Sequence, residues 1–592
     1  MIFFKSLYRF SREYKLTMLA VSTLMAVVAL SEGLVIALVI PLLNLALGGN
    51  ADQGDQGFLA NATPIIQGIF DFFGLRPSLG LILVTIVLIF VVQGLARFLQ
   101  RHLQWKMIKG YDQSLIHCLF KDYLSASWLF FVNHKAGHLI NVLSTETTRA
   151  KAAFQFILQA LAHFFLILFY LAISFLISWK ITLLAILFGS LASTFLKLFI
   201  GRMERYGIET SKINNEFQSL AFDMLSSVKM IKSSATEEKA LNAVDKITQK
   251  RTHLDYISQM SGSLIPSFYF PLVMSMLALL VYIAMGYWQT NFATLLIFLY
   301  LFFRLIPTLS AFHSDYEQAL IFIPSLDGID EIQKEAVWER EESGKKIFTH
   351  LKESIVFNHI VFGYHQKEDV LKDTTITIKK GESIAVVGAS GAGKTSLVDL
   401  LLGLLTPSKG TILIDTIPLN AYDIASWRRK VGYLSQDVFL FHDTLRTNLA
   451  WIAPHASEND INQAIKAAHA DEFISKMPEG LNTIIGDRGV KLSGGQRQRV
   501  ALARLLLQNP DVIVFDEAMS ALDSHSEKLV QKAIATHLKK KTKIIISHRL
   551  SSVKKVDRIY VLEKGRIAEE GTWNELINKK GVLASFRHQQ TT

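Results

Sequence analysis

Three short stretches carry residues whose types and spacing suit phosphate chemistry. The first, Gly388-Ala-Ser-Gly-Ala-Gly-Lys-Thr395, has the pattern GxxxxGK[ST]. It follows a strand-like run, SIAVVG, and opens a helix-like run, SLVDLLLGLL. Strand, glycine-rich loop and helix in that order turn backbone N–H groups inward around phosphates. The positive end of the helix adds to the attraction. Gly388, Ala389, Ser390, Gly391, Ala392, Gly393 and Ser396 are the expected cradle. Lys394 is expected to reach the β- and γ-phosphates and Thr395 to ligate Mg2+. The second stretch, Val512–Glu517, is an apolar strand ending in two acids. Asp516 fits the metal-side carboxylate, and Glu517 is the candidate that polarises an attacking water. The third, IIISHRL, puts His548 just past another strand, in reach of the γ-phosphate and that water. Alone, the acid pair reads equally as helix capping and the histidine as structural. Beside a complete phosphate loop, both favour nucleotide chemistry.

A second turn complicates the picture. KLSGGQRQR, at 491–499, has small residues, donors and then a helical run, which also suits an anion. Ser493 offers a hydroxyl, Gly494 and Gly495 allow close approach, and the helix opening at Gln496 aims its positive end there.

The elements that position these groups are short β-branched runs alternating with helices. IVFNHIVFGY, TTITIKK, SIAVVG, TILIDTI, VIVFDE, TKIIISH and RIYVLEKG read as strands. They predict an α/β domain over 349–592 with a small antiparallel section at its start. The first half differs. Apolar runs lie near 16–47, 79–100, 156–178, 181–200, 262–287 and 291–312. About 20 apolar residues cross a bilayer, so six membrane helices are expected within 1–325. Lys5, Arg9, Arg12 and Lys15 precede the first run, Arg97, Arg101, Lys106 and Lys109 follow the second, and Lys197, Arg202, Arg205 and Lys212 follow the fourth. The loop after the first run is acidic, with Asp52, Asp55 and Asp71. This alternation places both termini in the cytoplasm. Residues 101–155 and 201–261 are too polar to span and read as helices continuing beyond the membrane. Their distal turns are expected near Ser125–Phe131 and Phe217–Phe222. Residues 326–348 read as a charged linker.

Composition agrees. Of 592 residues, 50% are hydrophobic and only 19% charged, and the mean hydropathy is +0.29. The lipid bilayer is therefore an expected partner. The formal charge of +11 fits cytoplasmic loops of a membrane protein better than nucleic acid, for which no recognition motif is present. Cys118 is the single cysteine, so neither an internal disulfide nor a cysteine-rich metal site is expected. No cleavable signal peptide is expected at MIFFKSLYRFSREYK.

Over essentially all of 350–580 the second half resembles the nucleotide-binding domain of ATP-binding cassette (ABC) transporters, with motifs in the family's order. The resemblance implies that Tyr364 stacks on adenine and that Gln436 contacts Mg2+. Leu492, Ser493, Gly494, Gly495 and Gln496 match the family signature, Asp523 the loop crossing the dimer interface, and His548 the switch histidine. Asp487 stands where exporters carry a glutamate facing the membrane domain. In this family the signature faces the ATP held by the partner's phosphate loop. That implies a second chain, either another copy or a homologous half-transporter. The whole layout resembles a half-size exporter of the type IV, subfamily B-like kind: six membrane helices with long intracellular extensions, fused to one cassette. It implies ATP and Mg2+ as ligands, an amphipathic substrate moved outward, and the bacterial inner membrane as the location. No peptidase-like domain is expected ahead of the first run. Glu32 and Arg304 are charges inside apolar runs, which are costly unless they face an interior. The text around both is similar to flippases of lipid-linked oligosaccharides, and they are candidates for a substrate cavity. A multidrug or peptide exporter with the same engine is the alternative.

Overall fold

The apolar runs of the first half fold as long helices, here in a computed structural model. It describes residues 15–46, 78–200, 203–288, 290, 292–364, 368–486, 489–517, 524–547, 553–579 and 581–591. The helices are α1 (Lys15–Ala46), α2 (Leu79–Ser125), α3 (Thr147–Ile177), α4 (Trp179–Ile200), α5 (Met203–Ser226), α6 (Glu237–Gly286), α7 (Phe292–Phe322) and α8 (Pro324–Trp338). Ser78 caps α2 by accepting the Leu81 N–H at 3.3 Å. At 1.5 Å per residue, the 47 residues of α2 reach about 70 Å, more than twice a hydrocarbon core of about 30 Å. Leu83, Val84, Val87, Leu88 and Val91 of α2 are exposed, an apolar face suited to lipid.

Among the described residues, four helical stretches are long and apolar enough to cross a membrane: Lys15–Glu32, Leu79–Ser125, Ala136–Ile177 and Leu295–Trp338. The expected fourth and fifth spans are represented by shorter apolar stretches, Trp179–Leu191 in α4 and Met274–Gly286 in α6. The sixfold count is therefore not established, although helices occupy all six expected positions.

The distal turn after α2 falls where the sequence puts it, at Ala126, followed by a six-residue helix, Trp128–Asn133. The second does not. Phe217 and Phe222 lie inside α5, and the chain turns later, through Ser227, a six-residue helix Val228–Ser233 and Ala235 at φ +50°. The aromatic there packs rather than turns: the Arg251 guanidinium lies 5.2 Å from the Phe217 ring centre and ties α6 to α5. The turn forms where serine hydroxyls compete for backbone; Ser234 donates to the Met230 carbonyl at 2.6 Å.

Three helices meet at a buried arginine. Arg149 on α3 donates to the carbonyls of Gly207 on α5 at 3.2 Å and Ile321 on α7 at 3.1 Å. Gly207 permits this approach, because a Cβ there would meet the Ile321 oxygen at 2.5 Å.

Two compact units result. One runs to Ala126 and resumes over Phe130–Arg340; the other comprises Ser127–Leu129 and the chain from Glu341 onward. The second unit holds two sheets. β1 (Ser354–Phe362), β2 (Leu371–Lys379), β4 (Lys409–Ile414) and β5 (Ile417–Pro418) form an antiparallel sheet in the order β2-β1-β4-β5. β3 (Ser383–Val387), β6 (Val431–Leu434), β7 (Val512–Asp516), β8 (Thr542–Ile546), β9 (Arg558–Glu563) and β10 (Arg566–Gly571) form the other, ordered β10-β9-β3-β8-β7-β6. All its pairings are parallel except the β10 edge. β3 and β7 read as unbroken apolar runs because both faces are buried. In such a sheet ligands bind outside the carboxyl ends of the strands. The phosphate loop after β3, Gln436 after β6 and the Asp516–Glu517 pair after β7 lie there.

Candidate nucleotide site and membrane cavity

In the second unit a cavity of about 730 Å³ opens at the carboxyl edge of the parallel sheet. β3 delivers Gly388, and α9 (Lys394–Leu401) begins the far side of the loop. Gly393 caps α9 at φ +105°, where a Cβ would also meet the Leu371 side chain at 2.8 Å. Only glycine fits that turn. β6 ends before Gln436, and β7 ends in Asp516 and Glu517. Tyr364, Gly388, Ser390, Gly391, Lys394, Thr395, Ser396, Gln436, Asp516 and Glu517 therefore share one cavity. Ala389 and Ala392 belong to the loop without lining it.

The cavity sets one ammonium against two carboxylates, a mixed charge that suits a phosphate accompanied by a cation. The Lys394 ammonium donates to the carbonyls of Gly388 and Ala389, both at 2.9 Å. Burial pulls its pKa below the ordinary lysine value, opposed by the Glu517 and Asp516 charges. Burial pushes the Asp516 carboxyl up, opposed by the Tyr433 hydroxyl that donates to it at 3.0 Å. Tyr433 was not singled out from sequence, because only the β6–β7 pairing brings it beside Asp516. Glu517 sits at φ +48°, a left-handed conformation that costs a non-glycine residue about 1–2 kcal/mol. Its N–H donates to the Ile546 carbonyl at 2.9 Å, which anchors the turn. The Thr395 hydroxyl, Gln436 amide oxygen and Asp516 carboxylate are oxygen donors on one cavity, a set that fits a hard divalent cation. Tyr364 packs edge-on against Phe362, with centroids 4.9 Å apart, and its hydroxyl lies 3.2 Å from that of Ser396.

The signature turn does not line this cavity. Ser493 is exposed and caps α10 (Gly494–Gln508): its hydroxyl accepts the Gln496 N–H at 3.2 Å, and its own N–H donates to the Gln496 side chain at 2.9 Å. Leu492 is buried and anchors the turn in the core. His548, Asp523 and Asp487 lie outside the described residues.

The first unit holds a second cavity, of about 770 Å³. Glu32 and Arg304 both line it, but they play different parts. Glu32 is buried and fully engaged: Gln93 donates to it at 3.0 Å, and Arg97 and Tyr170 also bond to it. It ties α1, α2 and α3 together and orients Arg97. Arg304 stacks over Tyr300 at 5.8 Å and, like Arg101, has no carboxylate partner among the described residues. Arg97 and Arg101, read from sequence as a cytoplasmic flank, line the cavity as well. With three guanidinium groups against one carboxylate, its wall is net positive. His163 faces the same space and bonds through Nδ1 to Asp315 at 2.8 Å. A signal was present in the sequence: Arg97, Arg101, Gln104 and Ile108 recur on one helical face.

Known proteins are similar to both halves of the chain. Residues 19–308 match the family described as ABC transporter transmembrane region, and residues 371–520 match the ABC transporter family. The heterocyst differentiation ATP-binding protein HepA of Nostoc sp. is 33% identical over 80% of this chain and 78% of its own length. An ATP-dependent lipid A-core flippase of Methylobacillus flagellatus is 32% identical over 84% of this chain and 85% of its own. A putative multidrug export ATP-binding/permease protein, YgaD of Bacillus subtilis, is 31% identical over 78% of this chain and 80% of its own. A bacterial Atm1-family ABC exporter solved with ATP bound shares the fold, with TM-score 0.81 and 23% identity over 98% of this chain and 99% of that one. The half-size layout implies dimerisation, and the family implies ATP binding. The chain belongs to the ABC transporters: it is an integral inner-membrane, ATP-hydrolysing half-size exporter with its cassette in the cytoplasm and similarity to lipid flippases.

Proposed function

We propose that the chain moves an amphipathic substrate with an anionic headgroup, a lipid or lipid-linked glycan, from the cytoplasmic side outward. The observation that carries this is the net positive cavity of the membrane unit, with Arg101 and Arg304 free of carboxylate partners among the described residues. A guanidinium binds phosphate through paired N–H donors, which suits such a headgroup. A multidrug or peptide exporter is the second reading, supported by the YgaD likeness.

In the engine, Lys394 and the loop N–H groups hold the β- and γ-phosphates, and Tyr364 takes the adenine. Thr395, Gln436 and Asp516 would hold Mg2+, which neutralises phosphate charge. Glu517 accepts the proton of the attacking water, and His548 contacts the γ-phosphate. Ser493 and the N-terminus of α10 complete the site of a partner chain, where Asp523 crosses the interface. Because one chain carries every motif, two copies make two complete sites; a homologous half-transporter is the other possible partner. Closure of the pair on ATP draws the long helices together and opens the cavity outward; hydrolysis resets it. The short helices at the distal turns, Trp128–Asn133 and Val228–Ser233, are the candidate coupling elements. Six spans (α1, α2, α3, α4, α6 and α7) form the membrane domain at 1–325, with 326–348 as connector and 349–592 as cassette.

The test is ATPase stimulation in phosphatidylcholine nanodiscs by added anionic or zwitterionic lipids. Arg304→Ala should raise the half-stimulating concentration of an anionic lipid about tenfold, equivalent to ~1.4 kcal/mol. If Arg304→Ala and Arg101→Ala both leave that concentration unchanged, the anionic-headgroup reading is lost.

A further inference from the structure

Beside the arginines, the membrane cavity carries four glutamines that serve neither charge nor fold. Gln100 and Gln104 lie one turn apart on α2, and Gln155 and Gln159 one turn apart on α3. The i, i+4 spacing puts each pair on one helical face, and all four line the cavity. Each is half-buried, and among the described residues none of their amides bonds to protein. Gln93, on the same helix, shows the contrast: it is buried and its amide is spent on Glu32.

An amide offers two N–H donors and one acceptor oxygen. A phosphate or carboxylate only accepts, and the neighbouring guanidinium groups already supply donors for it. The glutamine oxygens need a ligand that donates in return. A hydroxyl does both, so paired amides suit a surface dense in hydroxyls. Trp105 adds a flat apolar face on the same stripe; it lines the cavity and is 58% exposed. An indole beside unpaired amides fits a sugar ring, apolar on its C–H face and hydroxylated at its rim. A peptide also carries donors and acceptors, but the single lining carboxylate, Glu32, is already occupied and leaves nothing for an ammonium group.

Taking this cavity as the substrate chamber proposed above, on which the inference rests, we propose that Gln100, Gln104, Gln155, Gln159 and Trp105 form a sugar-reading zone beside the arginines. The preferred substrate is then an anionic lipid whose headgroup bears sugars. That chemistry occurs in phosphorylated saccharolipids and in polyprenyl-pyrophosphate-linked oligosaccharides.

The experiment uses the full-length chain in phosphatidylcholine nanodiscs with ATPase stimulation as readout. The probes are polyprenyl pyrophosphate, the same lipid carrying an oligosaccharide, a phosphorylated saccharolipid, and a panel of cationic and neutral peptides. In the wild type at least one sugar-bearing probe should act at a concentration about tenfold lower than the bare pyrophosphate; which one identifies the source. Gln100→Leu with Gln104→Leu should erase that advantage, a change of about tenfold. Gln155→Leu with Gln159→Leu provides an independent pair should the first fail to fold. If bare and sugar-bearing probes act equally in the wild type while Arg304→Ala still weakens both, the sugar zone is refuted and the anionic reading stands. If no anionic probe stimulates, both fall together. If peptides stimulate and the glutamine pairs abolish it, the amides read peptide and the sugar assignment is overturned.

Discussion

Replacing Glu517 by glutamine separates catalysis from nucleotide binding. The side chain keeps its length, and its backbone remains held at φ +48° by the bond from its N–H to Ile546. What is lost is the capacity to accept a proton, and a positioned general base contributes about 10²–10⁴ in rate. ATPase turnover should therefore fall by about that factor, or ~3–5 kcal/mol of transition-state stabilisation. Binding should move the other way. Lys394, Asp516 and Glu517 share the cavity, so the wild-type site carries one net negative charge and the variant none. At an effective dielectric of about 20, removing one like charge about 6 Å from a phosphate relieves about 3 kcal/mol. Screening over an open cleft cuts this to about 1 kcal/mol, a few-fold gain in ATP affinity. Phosphate release measures the first quantity and equilibrium titration with a fluorescent ATP analogue the second. A variant that binds ATP and hydrolyses it within about threefold of wild type would falsify the assignment of Glu517 as base.

Two further outcomes follow from the geometry. A chain with Ser493→Trp should bind ATP through Lys394 yet hydrolyse none, and a chain with Lys394→Ala should also be inactive; a one-to-one mixture should restore about a quarter of wild-type ATPase, since about half of the dimers are mixed and each of those has one intact composite site of two. Activity that stays absent in the mixture would place the signature in its own chain's site. Asp399 on α9 supplies a pH test: burial, reinforced by the Asp516 charge, pushes its carboxyl up to about 6. A raised carboxyl binds its proton more tightly folded than unfolded, so its favourable contribution is complete below about pH 4 and is lost as the pH rises through about 6. Asp399→Asn should therefore raise the stability of the cassette at pH 8 by about 1 kcal/mol, after discounting for partial exposure, and change it little near pH 4. Thermal melts at both pH values check this, and a gain equal at the two would rule it out.

Much of the cassette was legible in its sequence because its chemistry is local. A loop of fixed spacing between an apolar strand and a helix leaves few ways to arrange its N–H groups, so Gly388–Thr395 announced itself. Asp516 and Glu517 were equally clear at the end of a buried strand. Ser493 drew attention as part of a small-residue turn opening a helical run, and the structure adds that it caps that helix in a reciprocal pair with Gln496. The short strand β6 and the edge strand β10 escaped notice, because four residues show no periodicity and RIAEEG is polar.

The membrane unit shows the limit. Hydropathy located its helices, since lipid demands long apolar runs. It could not say which charges work. Glu32 and Arg304 looked alike as costly intramembrane charges, yet one is consumed by Gln93, Arg97 and Tyr170 while the other is left facing the cavity. Arg97 and Arg101 looked like an ordinary cytoplasmic flank until the packing of α2 beside α3 turned them inward. The sequence by itself determined the engine, because phosphate chemistry is written in adjacent residues. Only the tertiary structure decided the chamber, because its wall is assembled from helices far apart in the chain, and a side chain's free valence depends on neighbours that one-dimensional spacing does not reveal.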